Sequence, residues 1–194
     1  MQTEPAPSNT EKTTLPGVLT ESPVLVRGIE ALKEWFELSN VSLLYDSMVD
    51  PFTGVGLLNK VVAKKNVAFI VFTSEGDIFG AFYTQPIPQG NRDTRTYALM
   101  FSFECHGRCE TPRLFRPTSD LRGGIQLIFS DTDEYVFRLS VRFTGNITIA
   151  NEHSPSSGNC MSFAFPEMEE TTLTGKNSKE PFTCTRLIAL QLSD

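Results

Sequence analysis

A change of hydrophobic period near Asn66 constrains the fold of this chain more than any other feature. Before it, large apolar residues recur every three or four positions. After it, they gather in short runs separated by Gly, Asp, Asn, Ser and Thr. The first pattern buries one stripe of a helix, whereas the second buries one or both faces of a strand. A chain that carries both in this order is expected to be α+β and mainly β.

Residues 1–22 are rich in Thr, Pro, Glu and Ser and hold few large apolar side chains. Such a segment buries too little surface to offset its ordering entropy, so a disordered tail is predicted over 1–22, followed by a single domain over 23–194. Ile29, Leu32, Trp35 and Phe36 share one face, with Glu30, Lys33 and Glu34 opposite, which predicts a helix over 28–38 packed on that domain. Val41–Tyr45 reads as a strand or a helix turn. Asp50-Pro51 is a helix-start signal, with Asp50 suited to the N-cap and Pro51 to the first helical position. Phe52, Val55, Leu58, Val61 and Val62 then form an apolar stripe, closed by Lys64 and Lys65. Gly54 and Gly56 weaken this helix by roughly 1 kcal/mol each relative to Ala, so packing must make up the difference.

Beyond Asn66, "VAFIVF" and "DIFGAFYT" flank "TSEG" and predict a hairpin with a Gly-containing turn. "TYALMFSFEC" is a further strand, and "GGIQLIFS" and "YVFRLSVRF" flank "DTDE" as a second hairpin. "NITIA", "CMSFAF" and "TRLIALQL" complete the series. Short strands separated by turns, without a βαβ rhythm, predict an antiparallel β-sandwich of two sheets with two short helices near the N-terminus. Gly80 interrupts an aromatic strand beside Phe79, Phe82 and Tyr83, where a missing side chain lets a ring or a backbone come close. A phosphate cradle would need a glycine-rich loop opening a helix, and here a strand follows.

Of the 194 residues, 40% are apolar and 15 are Phe, enough for a sizeable core. The formal charge of −6 argues against a surface dominated by phosphate contacts. No apolar run approaches the ~20 residues that span a bilayer, and "MQTEPAPSNTEKTTLPG" lacks a signal peptide's apolar region. The expectation is a soluble cytoplasmic or nuclear protein whose four cysteines are free thiols.

Cys105-His106-Gly107-Arg108-Cys109 is the most chemical-looking stretch. It could begin a zinc site, but His153, Cys160 and Cys184 do not repeat a paired spacing, so neither a metal nor a cofactor is expected. Arg108, Arg113 and Arg116 would favour thiolates at Cys105 and Cys109, which opens a redox reading beside that of incidental loop thiols. Cys160 and Cys184 sit in apolar runs, where inert buried cysteine is the default. With two histidines and no nucleophile elbow, nucleophilic catalysis finds little support. Residues 92–122 carry Arg92, Arg95, Arg108, Arg113, Arg116 and Arg122, a segment that could contact an acidic partner or a nucleic-acid backbone, or pair with neighbouring acids.

"LLYDSMVDPFTGVGLLNKV" (43–61), "FIVFTSEGDIFGAFYTQPIP" (69–88), "YALMFSF" (97–103), "GNITIANEHSPSSGNCMSF" (145–163) and "FTCTRLIALQL" (182–192) together resemble, in that order, the TLDc domain. The chain differs where that family's second core glycine is Ala81 and where Leu187-Ile188-Ala189-Leu190 replaces a closing Leu-Glu-Val-Trp. The resemblance implies a non-enzymatic β-sandwich that binds a protein partner, a link to oxidative-stress protection, and, for several members, contact with the vacuolar-type proton-pumping ATPase. Because loops on a rigid scaffold usually carry recognition, the candidate contact residues are Arg108, Arg113, Arg116, Arg122 and His153, with Gly80, Phe79 and Tyr83 structural. A nucleic-acid-binding regulator and a thiol sensor centred on Cys105 and Cys109 are the alternatives.

Overall fold

The computed structural model describes residues 17–20, 22–89, 98–118, 125–130, 135–141, 145–150, 156–158, 165–177 and 180–194. Helix α1 (Gly17–Thr20) leads into α2 (Pro23–Phe36). Ser22 caps α2, its Oγ accepting the Leu25 N–H at 3.4 Å, and Pro23 occupies the first turn. The helix therefore begins five residues before the expected 28, at a Ser-Pro start signal, and closes at Glu37 in the left-handed region (φ 54°). Leu19, within the tail expected over 1–22, lies in α1 and is fully buried. The rest of that predicted tail, 1–16, lies outside the described residues.

Strand β1 (Asn40–Asp46) precedes α3 (Gly54–Val61). Thr53, not Asp50, caps α3, its Oγ1 accepting the Gly56 N–H at 3.0 Å. Asp50 instead accepts the Asp46 N–H at 3.1 Å and pairs with Lys60 at 2.7 Å, so it closes the loop that Pro51 continues. The buried stripe is Gly54, Leu57 and Val61, while Val55 is 52% exposed. "GVGLLNKV" is apolar on more than one face, so period alone does not choose the inward one. Lys64 and Lys65 lie beyond the helix, which ends at the C-cap Val62.

The remaining strands are β2 (Val67–Thr73), β3 (Ile78–Tyr83), β4 (Ala98–Glu104), β5 (Arg113–Phe115), β6 (Ile125–Phe129), β7 (Phe137–Val141), β8 (Gly145–Ile149), β9 (Ser157–Gly158) and β10 (Cys184–Ser193). They form two antiparallel sheets, ordered β1-β10-β2-β3-β4-β5 and β6-β7-β8-β9. The fold is a β-rich α+β, as the change of period requires. Residues 160–164 of the expected "CMSFAF" strand and the whole "DTDE" turn fall outside the described residues, whereas the hairpin of β2 and β3 turns at Gly76 (φ 91°).

Both faces of the larger sheet are covered. On one, Ala68, Ile70, Phe82 and Phe101 meet Leu25, Ile29 and Leu32 of α2, and Phe36 stacks on Phe82 with centroids 3.8 Å apart. On the other, Phe69 meets Phe137 of β7 at 5.4 Å and Phe129 of β6 at 6.3 Å, so the smaller sheet shares its core. This is why β2 reads as a continuous apolar run and not as an alternation. Phe79 packs edge-on against Phe182, and Tyr83 against Phe69.

Gly80 faces the Phe101 ring across the β3–β4 ladder. A Cβ there would overlap the Phe69 carbonyl oxygen and lie 2.8 Å from Phe101 Cε2. Because the obstacle includes strand backbone, it cannot swing away. Gly80→Ala is expected to destabilise the domain by about 3 kcal/mol, the upper end for overpacking a core, as read by urea denaturation.

Asp46 and Arg186 tie β1 to β10. Arg186 donates from Nε to Asp46 Oδ1 at 3.0 Å and from Nη2 to Oδ2 at 2.6 Å, and its guanidinium lies over the Phe72 ring. Burial pushes the Asp46 carboxyl up, but the Arg186 hydrogen bonds, the Met48 N–H and the Arg186 charge outweigh it and hold the pKa below its ordinary value. A depressed carboxylate contributes stability that is present above its unfolded pKa of about 3.9 and is lost as pH falls through the folded value. Asp46→Asn is therefore expected to lower stability at pH 7 and to flatten the loss of stability below about pH 4, as measured by urea midpoints across pH.

Candidate functional site

The loop after β4 and the turn after β2 meet at one end of the larger sheet. The turn is closed by Thr73 N–H donating to the Asp77 carbonyl, and by Asp77 N–H donating to Thr73 Oγ1, both at 3.0 Å. These bonds place the Asp77 carboxylate inside the protein, 1% exposed. Arg108 reaches it, donating from Nη2 to Asp77 Oδ1. The same guanidinium donates from Nε to the Thr172 carbonyl at 3.4 Å and from Nη2 to the Leu173 carbonyl at 3.3 Å. One side chain thus ties together the β2–β3 turn, the loop after β4 and the segment 165–177.

His106 and Gly107 adopt positive φ, 49° and 79°, which curls the chain back so that Cys109 returns to Cys105. Glu104 Oε1 accepts the N–H groups of Cys105 at 3.0 Å and His106 at 2.8 Å, closing the curl from outside. His106 Nε2 lies 2.9 Å from the Glu75 carbonyl oxygen and 3.7 Å from Asp77 Oδ1. Cys105 is buried, and its Sγ sits 2.6 Å from Cys109 Sγ. The Cys109 N–H donates to Cys105 Sγ at 2.9 Å. Burial, then the hydrogen bond and charge of Cys105, push the Cys109 thiol up to about 12, against opposing contributions from Ser102 and Arg113. Cationic neighbours in sequence therefore do not produce a low-pKa thiolate at Cys109, because burial and Cys105 outweigh the one that acts on it, Arg113. Burial likewise pushes Cys184 up to about 12.

The expected site residues are thereby divided. Arg108 spends its guanidinium on Asp77 and the two carbonyls, although its side chain stays 25% exposed. Arg113 pairs with Glu167 at 3.0 Å and lies over Phe115. Arg116 is exposed, just beyond the edge strand β5. Arg92, Arg95, Arg122, His153 and Cys160 lie outside the described residues. Among the described residues, no three His, Cys, Asp or Glu side chains converge as a metal site would require, and no helix is long and apolar enough to cross a membrane. Sequence reasoning missed Asp77, which it placed at the start of the strand run "DIFGAFYT". The available signal was Thr73 four positions before it, a hydroxyl able to hold an Asp backbone.

No protein-family model matches the chain, and no curated protein matches it.

Removing one partner of a buried ion pair leaves an uncompensated charge, which typically costs 3–5 kcal/mol. Because Asp77 is buried but Arg108 is 25% exposed, Arg108→Ala is expected to fall below that range, destabilising the domain by about 2 kcal/mol. The double variant Arg108→Met with Asp77→Leu is expected to regain most of it, since no buried charge then remains. Urea denaturation of the single and double variants checks both.

Proposed function

We propose that this chain is a TLDc-like, non-enzymatic protein-interaction module, linked to the oxidative-stress response and to regulation of a vacuolar-type proton pump. The observation that carries the interaction reading is the fate of the arginine-bearing stretch after β4. It folds into a tight loop fixed by Arg108 and then into the sheet edge β5, leaving His106, Glu110 and Arg116 exposed on a rigid support. Recognition residues are characteristically displayed in this way, on loops and edges held by a scaffold. The acid–base side chains that meet in the interior favour the non-enzymatic reading, because Asp77 and Arg108 neutralise each other. The oxidative-stress and proton-pump terms rest on the resemblance alone.

The nucleic-acid alternative is weakened by the same geometry. Arg108 and Arg113 are committed to Asp77 and Glu167, which takes two cations out of any phosphate-binding stripe.

The test is affinity capture from cytosol with the full chain, with and without peroxide, read by mass spectrometry. Recovery of proton-pump subunits is expected, reduced about tenfold by Arg116→Glu, as charge reversal at an interface rim would give. Failure to recover any pump subunit in either state would overturn the pump assignment. Recovery unaffected by Arg116→Glu would remove the β5 edge from the contact.

A further inference from the structure

We propose that Cys105 and Cys109 are a modification site, a dithiol that closes to an intraloop disulfide by exchange with a low-molecular-weight disulfide such as oxidised glutathione. In an extended chain two thiols four residues apart lie too far from each other to bridge. Here the left-handed residues His106 and Gly107 return the chain on itself, and the two sulfurs are already in contact at 2.6 Å. Their roles differ by position. Cys105 is fully buried, so an oxidant cannot reach it directly, whereas Cys109 is partly exposed and can meet a small disulfide from solvent.

The steps balance. The Cys109 thiolate attacks one sulfur of oxidised glutathione, forming a mixed disulfide and releasing one glutathione thiolate. Cys105, deprotonated to that leaving thiolate, then attacks Cys109 Sγ. The protein disulfide forms and the second glutathione leaves, so one small disulfide is reduced to two thiols as two protein thiols are oxidised. The Cys109 N–H, 2.9 Å from Cys105 Sγ, is placed to stabilise the developing thiolate in the second step. The attacking form at Cys109 is scarce at neutral pH because its thiol is pushed up to about 12. Attack therefore starts slowly, while closure is helped by the resolving sulfur already in place. Such a pair is suited to equilibrating with a disulfide pool more than to scavenging peroxide. Since Arg108 lies between the two cysteines, closure would also lock the loop that holds Asp77 and the Thr172 and Leu173 carbonyls.

The full chain, incubated with oxidised or reduced glutathione and then denatured and alkylated, provides the test. Trypsin cuts after Arg108, so the bridge would join peptide 96–108 to peptide 109–113, a pair recognisable by mass. The linked pair is expected under oxidised glutathione and absent under reduced glutathione. In Cys105→Ser, a persistent glutathione adduct on Cys109 is expected, because nothing resolves it. Alkylation of both cysteines after oxidation, a glutathione adduct on Cys109 that persists in the unsubstituted chain, or a bridge to Cys160 or Cys184 would each overturn the proposal.

Discussion

The structure depends first on where β10 lies. It pairs with β1 on one side, from Asn40↔Ser193 to Asp46↔Ile188, and with β2 on the other, from Val67↔Gln191 to Thr73↔Cys184. Without it the larger sheet is two pieces, β1 alone and the meander β2 to β5. The apolar run Leu187–Leu190 is buried on both faces, so it contributes to the core against α2 and to the core against the smaller sheet. Asp46 and Arg186 secure this junction by charge where the β1–β10 ladder ends. Contacts between segments so far apart in the chain make closure of the sheet an event of long loops, which is entropically slow to reach and cooperative once reached.

Against that central strand the helices have unequal roles. Helix α2 presents Leu25, Ile29 and Leu32 to the sheet, and Gly28 lets it approach the Phe103 ring directly. The small backbone at Gly28 and the absent side chain at Gly80 solve the same problem, which is fitting many phenylalanines into one sheet. Phe101 and Phe103 stack at 4.7 Å behind them. Helix α3 is shorter and packs against β1 and β6. Its two glycines suit close approach, since a Cβ at Gly54 would lie 2.7 Å from both Ser130 N and the Val136 carbonyl oxygen.

Most strands were legible in the sequence because their apolar runs are long, aromatic and separated by turn chemistry. Strands β5 and β9, three and two residues long, carry no such run and were not expected. The order of the strands was not legible. Nothing local in "TRLIALQL" says that it inserts between β1 and β2, because pairing partners are chosen by tertiary burial and not by residues along one strand. The same limit explains the helix start. Asp50-Pro51 has the composition of a cap, yet Lys60 and the Asp46 N–H compete for the Asp50 carboxylate, and Thr53 takes the capping role. The site was half legible: the Cys-His-Gly-Arg-Cys run drew attention to the right loop, but not to Asp77, whose burial depends on a turn from a different hairpin.

Arg108 changes meaning for that reason. Read along the chain it is a cation beside two thiols, fit to lower their pKa values and to meet an acidic partner. Read in space, it is consumed by Asp77 and two carbonyls, and neither role remains to it. What it supplies instead is rigidity: a loop whose carboxylate anchor is buried cannot drift without exposing that charge to desolvation. The outward character of the loop then falls to His106 and Glu110, and the chemistry falls to the two sulfurs that the curl brings together. Recognition and redox state would share one short piece of backbone, so a change in one has a direct mechanical route to the other through the residue between the cysteines.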